Sequence, residues 1–93
     1  MDVLSDEEVT DALAELDGWE HDVDALTKTF EFDGFGAAID FIAAAAPRID
    51  ELDHHPEWTN VYSRVDVRLS SHDVGGVTDR DLQLARVLNE IAG

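Results

Sequence analysis

The chain has 93 residues and a mass of 10.3 kDa, which is the size of one small domain. Its 6 basic and 22 acidic residues give a formal net charge of −16, which argues against nucleic-acid or anionic-membrane partners because their phosphates would be repelled. The absence of cysteine from the sequence excludes disulfides, thiolate nucleophiles and zinc–sulfur sites.

The first predicted elements are a helix and a β-hairpin. Ser5 and Glu8 have the spacing of a capping box, so the helix begins after Ser5, and Gly18 is placed to end it. The apolar face of this helix consists of Val9, Ala12, Leu13 and Leu16. The segments Trp19–His21 and Leu26–Phe32 are the two strands of the hairpin, and the second is rich in β-branched and aromatic residues.

A second helix is predicted in the middle of the chain. Asp33 is placed as its N-cap, and the helix ends near His55 because Pro56 disfavours helical backbone in the residue before it. Its predicted apolar stripe follows steps of three and four residues: Phe35, Ile39, Ile42, Ala46 and Ile49. Pro47 lies within this span, and we expect a kink or break there because proline lacks the N–H that a helix needs.

The rest of the chain predicts a second hairpin and a third helix. Trp58–Tyr62 is the third strand, and the fourth strand, Val65–Leu69, alternates apolar and charged residues with a period of two. Thr78 and Asp81 have capping-box spacing at the start of the helix. The apolar stripe of that helix consists of Leu84, Val87, Leu88 and Ile91.

This order, α-β-β-α-β-β-α, predicts an α+β fold in a single domain that spans residues 1–93. Short hairpins pair their strands antiparallel, and three amphipathic helices are enough to cover one face of a four-stranded antiparallel sheet. The opposite face and the strand edges are left for solvent or a partner, and an exposed edge is a natural place for subunits to join.

The acidic residues are spread along the chain rather than concentrated in one region. Aspartate is more frequent than glutamate, and Lys28 is the only lysine. We interpret this pattern as a surface adapted to concentrated salt, where repulsion between carboxylates is screened, and an ordinary acidic surface is the alternative. No signal peptide is recognised, and the apolar stretch Phe35–Pro47 is too short to span a membrane, so a cytoplasmic location is expected.

Three of the four histidines are expected at one end of the sheet. His54 and His55 precede the third strand, and His72 follows the fourth strand, which pairs with the third. Imidazole gives or takes a proton near neutral pH, so such a cluster suits general acid–base catalysis. Each histidine also has a structural explanation, because a histidine favours the negative end of a helix dipole and His72 or His21 fits an exposed loop.

The other polar candidates have structural explanations as well. Carboxylates near the histidines fit a solvated acidic surface: Asp50, Asp53, Glu57 and Asp73. Trp19 and Trp58 fit an apolar core, and Arg80 fits ion pairs with neighbouring carboxylates. A metal site is not predicted, because the spacing lacks the His-Glu-x-x-His pattern and adjacent histidines on a helix point apart.

The second half of the chain carries a dense set of motif residues. These are Asp50–Tyr62, which contains Asp-His-His-Pro, then Ser70-Ser71-His72, and Gly76, Asp81 and Ala85 beyond them. Through these residues the second half closely resembles the pterin-4a-carbinolamine dehydratase family. The first half matches more loosely, through Gly18-Trp19, Phe30-Glu31-Phe32 and the start of the second helix. The joint spacing of Asp-His-His-Pro and Ser-His is hard to obtain by chance.

That resemblance implies the same fold and a homodimer or homotetramer built partly through the sheet edge. The implied reaction dehydrates 4a-hydroxytetrahydropterins to quinonoid dihydropterins and so recycles the cofactor of aromatic amino-acid hydroxylases; the pterin is the substrate, and no other cofactor is implied. The implied catalytic residues are His54, His55 and His72. The implied substrate-binding residues are Asp50, Asp53, Ser70, Ser71, Asp73, Trp19 and Arg80.

Two points stay open at the level of the sequence. A protein of this kind could instead bind a pterin without dehydrating it, or serve as a dimerisation and interaction module. Within the enzymatic hypothesis, either His55 or His72 is the acid, and His54 is the base or orients another group.

Overall fold

The computed structural model describes residues 2–93 and confirms the predicted element order α-β-β-α-β-β-α. Its helices are α1 (Asp6–Leu13), α2 (Phe35–Leu52) and α3 (Asp79–Ala92). Its strands are β1 (Glu20–Asp22), β2 (Ala25–Glu31), β3 (Glu57–Val61) and β4 (Arg64–Leu69). The protein therefore has the α+β fold that the sequence pattern predicts.

The four strands form one antiparallel sheet in the order β1-β2-β4-β3. Strands β2 and β4 occupy its centre, where Phe30 lies opposite Val65. β3 pairs with β4 so that Glu57, its first residue, lies opposite Arg68, near the end of β4. The chain that enters β3 and the chain that leaves β4 therefore meet at the same end of the sheet, which is the end where the histidines lie.

One face of the sheet packs against the helices and forms the core. The apolar residues of β4 are buried there, whereas its alternate polar residues are more exposed on the opposite face. Aromatic rings close the core: the centroids of Phe30 and Phe41 are 4.9 Å apart, and Phe41 lies 6.4 Å from Trp58. These contacts fix α2 against the sheet and thereby set the direction in which the chain leaves α2.

Helices α1 and α3 begin where the sequence predicts, but α1 ends early. Both have complete capping boxes, Ser5–Glu8 and Thr78–Asp81. α1 ends at Leu13 instead of continuing to Gly18. The backbone N–H groups of residues 14–16 bond to carbonyls three residues earlier, which is a tighter coil than an α-helix. Gly18, with a φ of +81°, follows this coil, so the predicted end of the helix is wrong.

The buried face of α2 differs from the predicted stripe. Phe35, Ile39 and Ala46 are exposed, Phe35 by 53% and Ile39 by 39%. The helix buries Ala38, Phe41 and Ala45, whereas Ile49 is buried as predicted and Ile42 is partly buried against the core. Ala38, Phe41 and Ala45 each precede a predicted position by one residue, so the buried face is shifted around the helix and overlaps the predicted stripe only toward its end. The middle of α2 is apolar around most of its circumference, so periodicity alone does not select the face that packs.

The predicted N-cap and the predicted break of α2 are also wrong. The N-cap is Gly34 rather than Asp33, and it makes no side-chain hydrogen bond. The helix runs through Pro47 without interruption. Pro47 is exposed, as is Ala43, whose carbonyl would otherwise receive the missing N–H, so water can solvate that oxygen.

Across residues 2–93, no helix is both long enough and apolar enough to cross a membrane.

Candidate active site

The histidine pair leaves α2 through a residue with left-handed backbone. Asp53 is the C-cap of α2 and has φ 50° and ψ 41°, a conformation that aspartate adopts more readily than most residues. Pro56 then keeps His55 out of the helical region. His54 and His55 therefore lie in the short connection between α2 and β3, where their side chains enter different surroundings.

His54 is buried and is held by Asp81 of α3. Its Nε2 lies 2.6 Å from Asp81 Oδ1, and the side chains of His54 and Asp81 are 10% and 0% exposed. Asp81 Oδ2 accepts the backbone N–H of Thr78 and the hydroxyl of Ser71, each at 2.9 Å. One carboxylate therefore caps α3, anchors the chain that follows β4 and orients the imidazole of His54.

The hydrogens of this buried network follow from its donors and acceptors. Asp81 as a carboxylate has no hydrogen to donate, so Nε2 of His54 carries the hydrogen of this contact. Ser71 donates its only hydroxyl hydrogen to Asp81, so Thr78 donates to Ser71 across 2.7 Å. The network thus fixes the orientation of the His54 ring as well as its position.

His55 and His72 are exposed, and each contacts its own carboxylate. His55 Nε2 is 3.3 Å from Asp50 Oδ1, and His72 Nε2 is 2.8 Å from Glu57 Oε1. The two histidine side chains are 60% and 72% exposed. Exposed pairs of this kind contribute little to stability, but both imidazoles are open to a dissolved molecule. In the part of the chain that the structure describes, no group of three or more His, Asp or Glu could hold a metal ion.

Shared contacts bring the three histidines to the same end of the sheet. His72 directly follows Ser71, which binds the same carboxylate as His54. Glu57, the partner of His72, begins β3 and lies two residues beyond His55. The loop after β4 is therefore linked to His54 through Asp81 and to the first residue of β3 through His72.

Two cavities lie near these residues. The smaller one has a volume of about 200 Å³ and is lined by Ala46, Ile49, Asp50, His55, Pro56 and Trp58. The larger one, about 570 Å³, includes Glu57 and Arg68 and opens on the helix-free side of the sheet. Neither of the two is lined by all three histidines. The histidines therefore border an open surface next to a small cavity rather than one enclosed pocket.

Most of the predicted substrate-binding residues lie at this end of the molecule. Asp50 and Asp53 belong to the end of α2, and Ser71 and Asp73 to the loop after β4. Arg80 is exposed in the first turn of α3. Of these, Asp50 contacts a histidine directly, and Ser71 acts through Asp81.

Trp19 and Ser70 make their contacts elsewhere. Trp19 is buried in the core, and its Nε1 donates to Asn89 Oδ1 at 2.9 Å. Asn89 lies eight residues beyond Asp81 on α3 (81 to 89), which is about 12 Å along the helix axis. Ser70 Oγ donates to the carbonyl of Asp24 at 2.8 Å and so ties the end of β4 to the turn between β1 and β2. The structure gives both side chains a structural role and does not bring Trp19 to the histidines.

The structure adds Asp81 and Glu57 to the site. In the sequence, the capping box accounts for an aspartate at position 81. The sequence therefore gives no separate reason to expect its contact with His54. Glu57 is explained as one more acidic surface residue. The contact of Glu57 with His72 could have been predicted from strand pairing. The first residue of β3 lies beside the end of β4 and is therefore near the loop that follows β4.

Comparisons with known proteins agree with this fold. The model of a family described as pterin 4 alpha carbinolamine dehydratase matches residues 2–91. Proteins of Brucella ovis and Brucella abortus, named provisionally as pterin-4-alpha-carbinolamine dehydratases, are each 48% identical to this chain over 93 residues, covering 97% of it and 95% of their own length. A crystal structure from Brucella melitensis, described as a transcriptional coactivator/pterin dehydratase, has a TM-score of 0.95 and 46% identity, covering 99% of this chain and 100% of its own.

A more distant structure shares the fold alone. It is described as a pterin dehydratase-like protein that is a RuBisCO assembly factor in the alpha-carboxysome, and it has a TM-score of 0.68 and 20% identity, covering 81% of this chain and 87% of its own.

The fold and the site together define a small α+β protein with a histidine–carboxylate cluster at one end of its sheet. The match over residues 2–91 and the 48% identity to the named relatives make the assignment more specific. The chain belongs to the pterin-4a-carbinolamine dehydratase family.

Proposed function

We propose that this protein dehydrates 4a-hydroxytetrahydropterins to quinonoid dihydropterins by histidine acid–base catalysis. The observation that carries the proposal is the cluster of three carboxylate-bound histidines at one end of the sheet, in a chain of this family. The pterin is the substrate, and no separate cofactor takes part. An aromatic amino-acid hydroxylase releases its pterin cofactor as the 4a-hydroxytetrahydropterin. Dehydration of that compound is therefore the step that follows hydroxylation and begins the recycling of the cofactor.

The chemistry consists of two proton transfers and no redox step. A proton is delivered to the 4a-hydroxyl oxygen, the C4a–O bond breaks, and the oxygen leaves as water with the bonding electrons. The N5–H proton is removed, and the electrons of that bond form the C4a–N5 double bond. A positioned acid and a positioned base that both titrate near neutral pH suit this pair of transfers.

The exposure of the three imidazoles supports a division of roles. His55 and His72 are open to solvent, so each can exchange a proton with a bound pterin, and Asp50 and Glu57 orient their rings. His54 is buried and its Nε2 is occupied by Asp81, which suits a group that positions its neighbours. We therefore assign the proton transfers to His55 and His72 and the positioning role to His54.

The polar residues around the histidines would hold the pterin ring. The cavity beside His55 is lined by two polar side chains, Asp50 and His55, and by apolar residues that include Trp58, and such a mixed lining suits a flat ring with polar edges. Asp53 and Asp73 are exposed on either side of the histidines, in the connection after α2 and in the loop after β4. Their backbone and carboxylate groups are available to the amino and amide groups of a pterin.

The proposal is tested by the rate at which a synthetic 4a-carbinolamine loses water. His55→Ala and His72→Ala should each lower kcat by about 10²-fold or more, because each removes one of the two proton-transfer groups. His21→Ala is the matched control, since His21 lies on β1 outside the cluster, and it should retain the wild-type rate. A wild-type protein that does not accelerate dehydration, or a double variant of His55 and His72 that remains fully active, would contradict the proposal.

The exposed apolar residues support self-association of the chain. Phe35, Ile39, Val61 and Tyr62 are exposed by 53%, 39%, 52% and 68%. The Tyr62 hydroxyl lies close to Gly34, so the turn after β3 adjoins the start of α2. Residues 35–46 carry a single charge, Asp40, in a protein whose net charge is −16. This surface has few charges, so two copies of it would not repel each other as the rest of the acidic surface would. We therefore propose that copies of the chain meet here in a homodimer or homotetramer.

A further inference from the structure

The segment before α1 lies on the loop that carries His72. The backbone N–H of Leu4 donates to the carbonyl of Val77 at 2.8 Å. The side chain of Val3 packs on Gly76, and Leu4 itself is half-buried against the core. Residues 3 and 4 therefore contact the loop between β4 and α3 through both a backbone and a side-chain interaction.

Position 76 requires glycine because a larger side chain would collide with Val3, and not because of its backbone conformation. A Cβ atom at Gly76 would lie 2.5 Å from Cγ1 and 3.2 Å from Cγ2 of Val3, whereas it would lie an ordinary 3.5 Å from Cβ of Val3. The neighbouring Gly75 is the opposite case: its φ is +74°, and a Cβ there would meet nothing within 4 Å. Gly76 has no positive φ, so alanine fits its backbone and is excluded only by the γ carbons of Val3.

The backbone of this loop transmits the position of Gly76 to the residue before His72. The N–H of Ser71 donates to the carbonyl of Gly76 at 2.9 Å, and the N–H of Gly75 donates to the carbonyl of Ser71 at 2.9 Å. Ser71 also holds Asp81 with its hydroxyl at 2.9 Å. A shift of Gly76 therefore moves Ser71, and with it the imidazole of His72 that lies 2.8 Å from Glu57.

We propose that Val3 and Leu4 are positioning residues for His72, and that the contact of Val3 with Gly76 holds the loop in the geometry in which His72 meets Glu57. The effect on catalysis rests on the proposed dehydratase function, whereas the effect on the position of His72 does not.

The test uses a pair of compensating substitutions in the full chain. Gly76→Ala pushes the exposed side chain of Val3 off the loop and so breaks the proposed contact. It should lower kcat for carbinolamine dehydration by about tenfold with little change in KM, because the loop no longer holds His72 in place. Val3→Ala combined with Gly76→Ala removes both γ carbons and leaves the ordinary Cβ contact, so kcat should return to within about threefold of wild type. Val23→Ala is the control, because Val23 is 86% exposed in the turn between β1 and β2, away from the loop and from the proposed contact between chains, and it should leave kcat unchanged.

A second readout separates this inference from the proposed function. In NMR spectra, the ring resonances of His72 should shift in Gly76→Ala and return in the double variant, while those of His21 stay in place. This pattern supports the inference even if the wild-type protein proves to have no dehydratase activity. Unchanged His72 resonances and kcat in Gly76→Ala, or no recovery in the double variant, would overturn it. If Gly76→Ala fails to fold, refolding and recovery of the His72 resonances in the double variant support the contact, and failure of both variants overturns it.

Discussion

Asp81 combines two tasks that are usually given to different residues. It completes the capping box of α3 with Thr78, and it holds Nε2 of the buried His54 at 2.6 Å. The Asp81 carboxylate is fully buried and accepts three hydrogen bonds, so its replacement is costly. The donors that lose this acceptor are buried as well, and water cannot take its place. The start of α3 and the position of His54 therefore depend on one side chain.

Substitution of Asp81 by asparagine should be strongly destabilising. The amide presents N–H groups where the carboxylate accepts, so at least one of the donors from His54, Ser71 and Thr78 is left unpaired. We expect Asp81→Asn to lower the free energy of unfolding by about 2 to 4 kcal/mol in denaturant titrations. Asp79→Asn, an exposed acidic residue in the same turn, should change it by about 0.5 kcal/mol or less. Equal stability of the two variants would show that the Asp81 network contributes nothing particular.

At the scale of the element, the helix ends are where local sequence acts most directly. The capping box of α1 is complete, with Ser5 N–H bonded to Glu8 at 3.0 Å and Glu8 N–H bonded to Ser5 Oγ at 3.1 Å. The pKa of Glu8 lies below its ordinary value of 4.5, chiefly because its carboxylate accepts the backbone N–H of Ser5 and also interacts with the Ser5 side chain. The capping box therefore has a definite pH dependence.

The sign of that dependence follows from the lowered pKa. The folded protein holds the Glu8 proton less tightly than the unfolded chain, so the ionised box stabilises folding above pH 4.5, and this contribution is lost as the pH falls through the lower folded value. Glu8→Gln keeps an acceptor oxygen but does not titrate. The melting temperature of the wild type should therefore exceed that of Glu8→Gln at neutral pH, with a margin that shrinks as the pH is lowered to about 3. Glu7→Gln should show a smaller pH-dependent margin, and a constant Glu8→Gln margin at all pH values would be inconsistent with this reasoning.

The elements differ in how far the sequence predicts them. Alternation in β4 and the caps of α1 and α3 depend on near neighbours, and the structure confirms them. The orientation of α2 depends on which of two apolar faces meets the sheet, and the prediction of Phe35 and Ile39 as buried is wrong. The sequence of α2 alone does not determine which face is buried, because Phe41 packs on aromatic rings of strands that are distant in the chain.

The same limit applies to the candidate site. The three histidines could be predicted because their spacing and the strand order place them at one end of the sheet. Their partners could not all be predicted, because Asp81 contacts His54 across 27 residues and its capping role already explains it. Trp19 and Ser70 are bound to Asn89 and Asp24, contacts that again join distant segments.

At the scale of the whole molecule, the net charge of −16 dominates the behaviour in solution. Among residues 2–93, Arg68 pairs with Asp22 and Asp24, and Arg64 pairs with Asp66, whereas most carboxylates have no arginine or lysine within ion-pair distance. Their mutual repulsion opposes the compact state and is screened by salt. We infer that the surface is adapted to concentrated salt.

The stability of the protein should therefore rise with salt concentration. We expect the melting temperature to increase steadily from about 0.1 M to about 2 M potassium chloride, since the Debye length shortens over this range. Potassium chloride is preferred to sulfate salts, which strengthen apolar burial in any protein. A melting temperature that does not rise over this range would point to an ordinary acidic surface.

Self-association should depend on the exposed apolar surface of α2. Phe35→Ser combined with Ile39→Ser should shift the protein toward monomer in sedimentation or light scattering, because it removes two exposed apolar side chains of the proposed contact. Val23→Ser, at an exposed apolar residue in the turn between β1 and β2, is the control and should leave the oligomer intact. A wild-type monomer at high concentration, or an unchanged oligomer in the double variant, would contradict the proposed contact.

If His55 and His72 act on one bound pterin, both imidazoles must respond to the same binding event. A stable dihydropterin can be titrated into the protein while the ring resonances of all four histidines are followed by NMR. We expect saturable shifts of His55 and His72 with the same dissociation constant and no shift of His21. Shifts of only one of the two exposed imidazoles, or different dissociation constants for them, would show that they do not share a site.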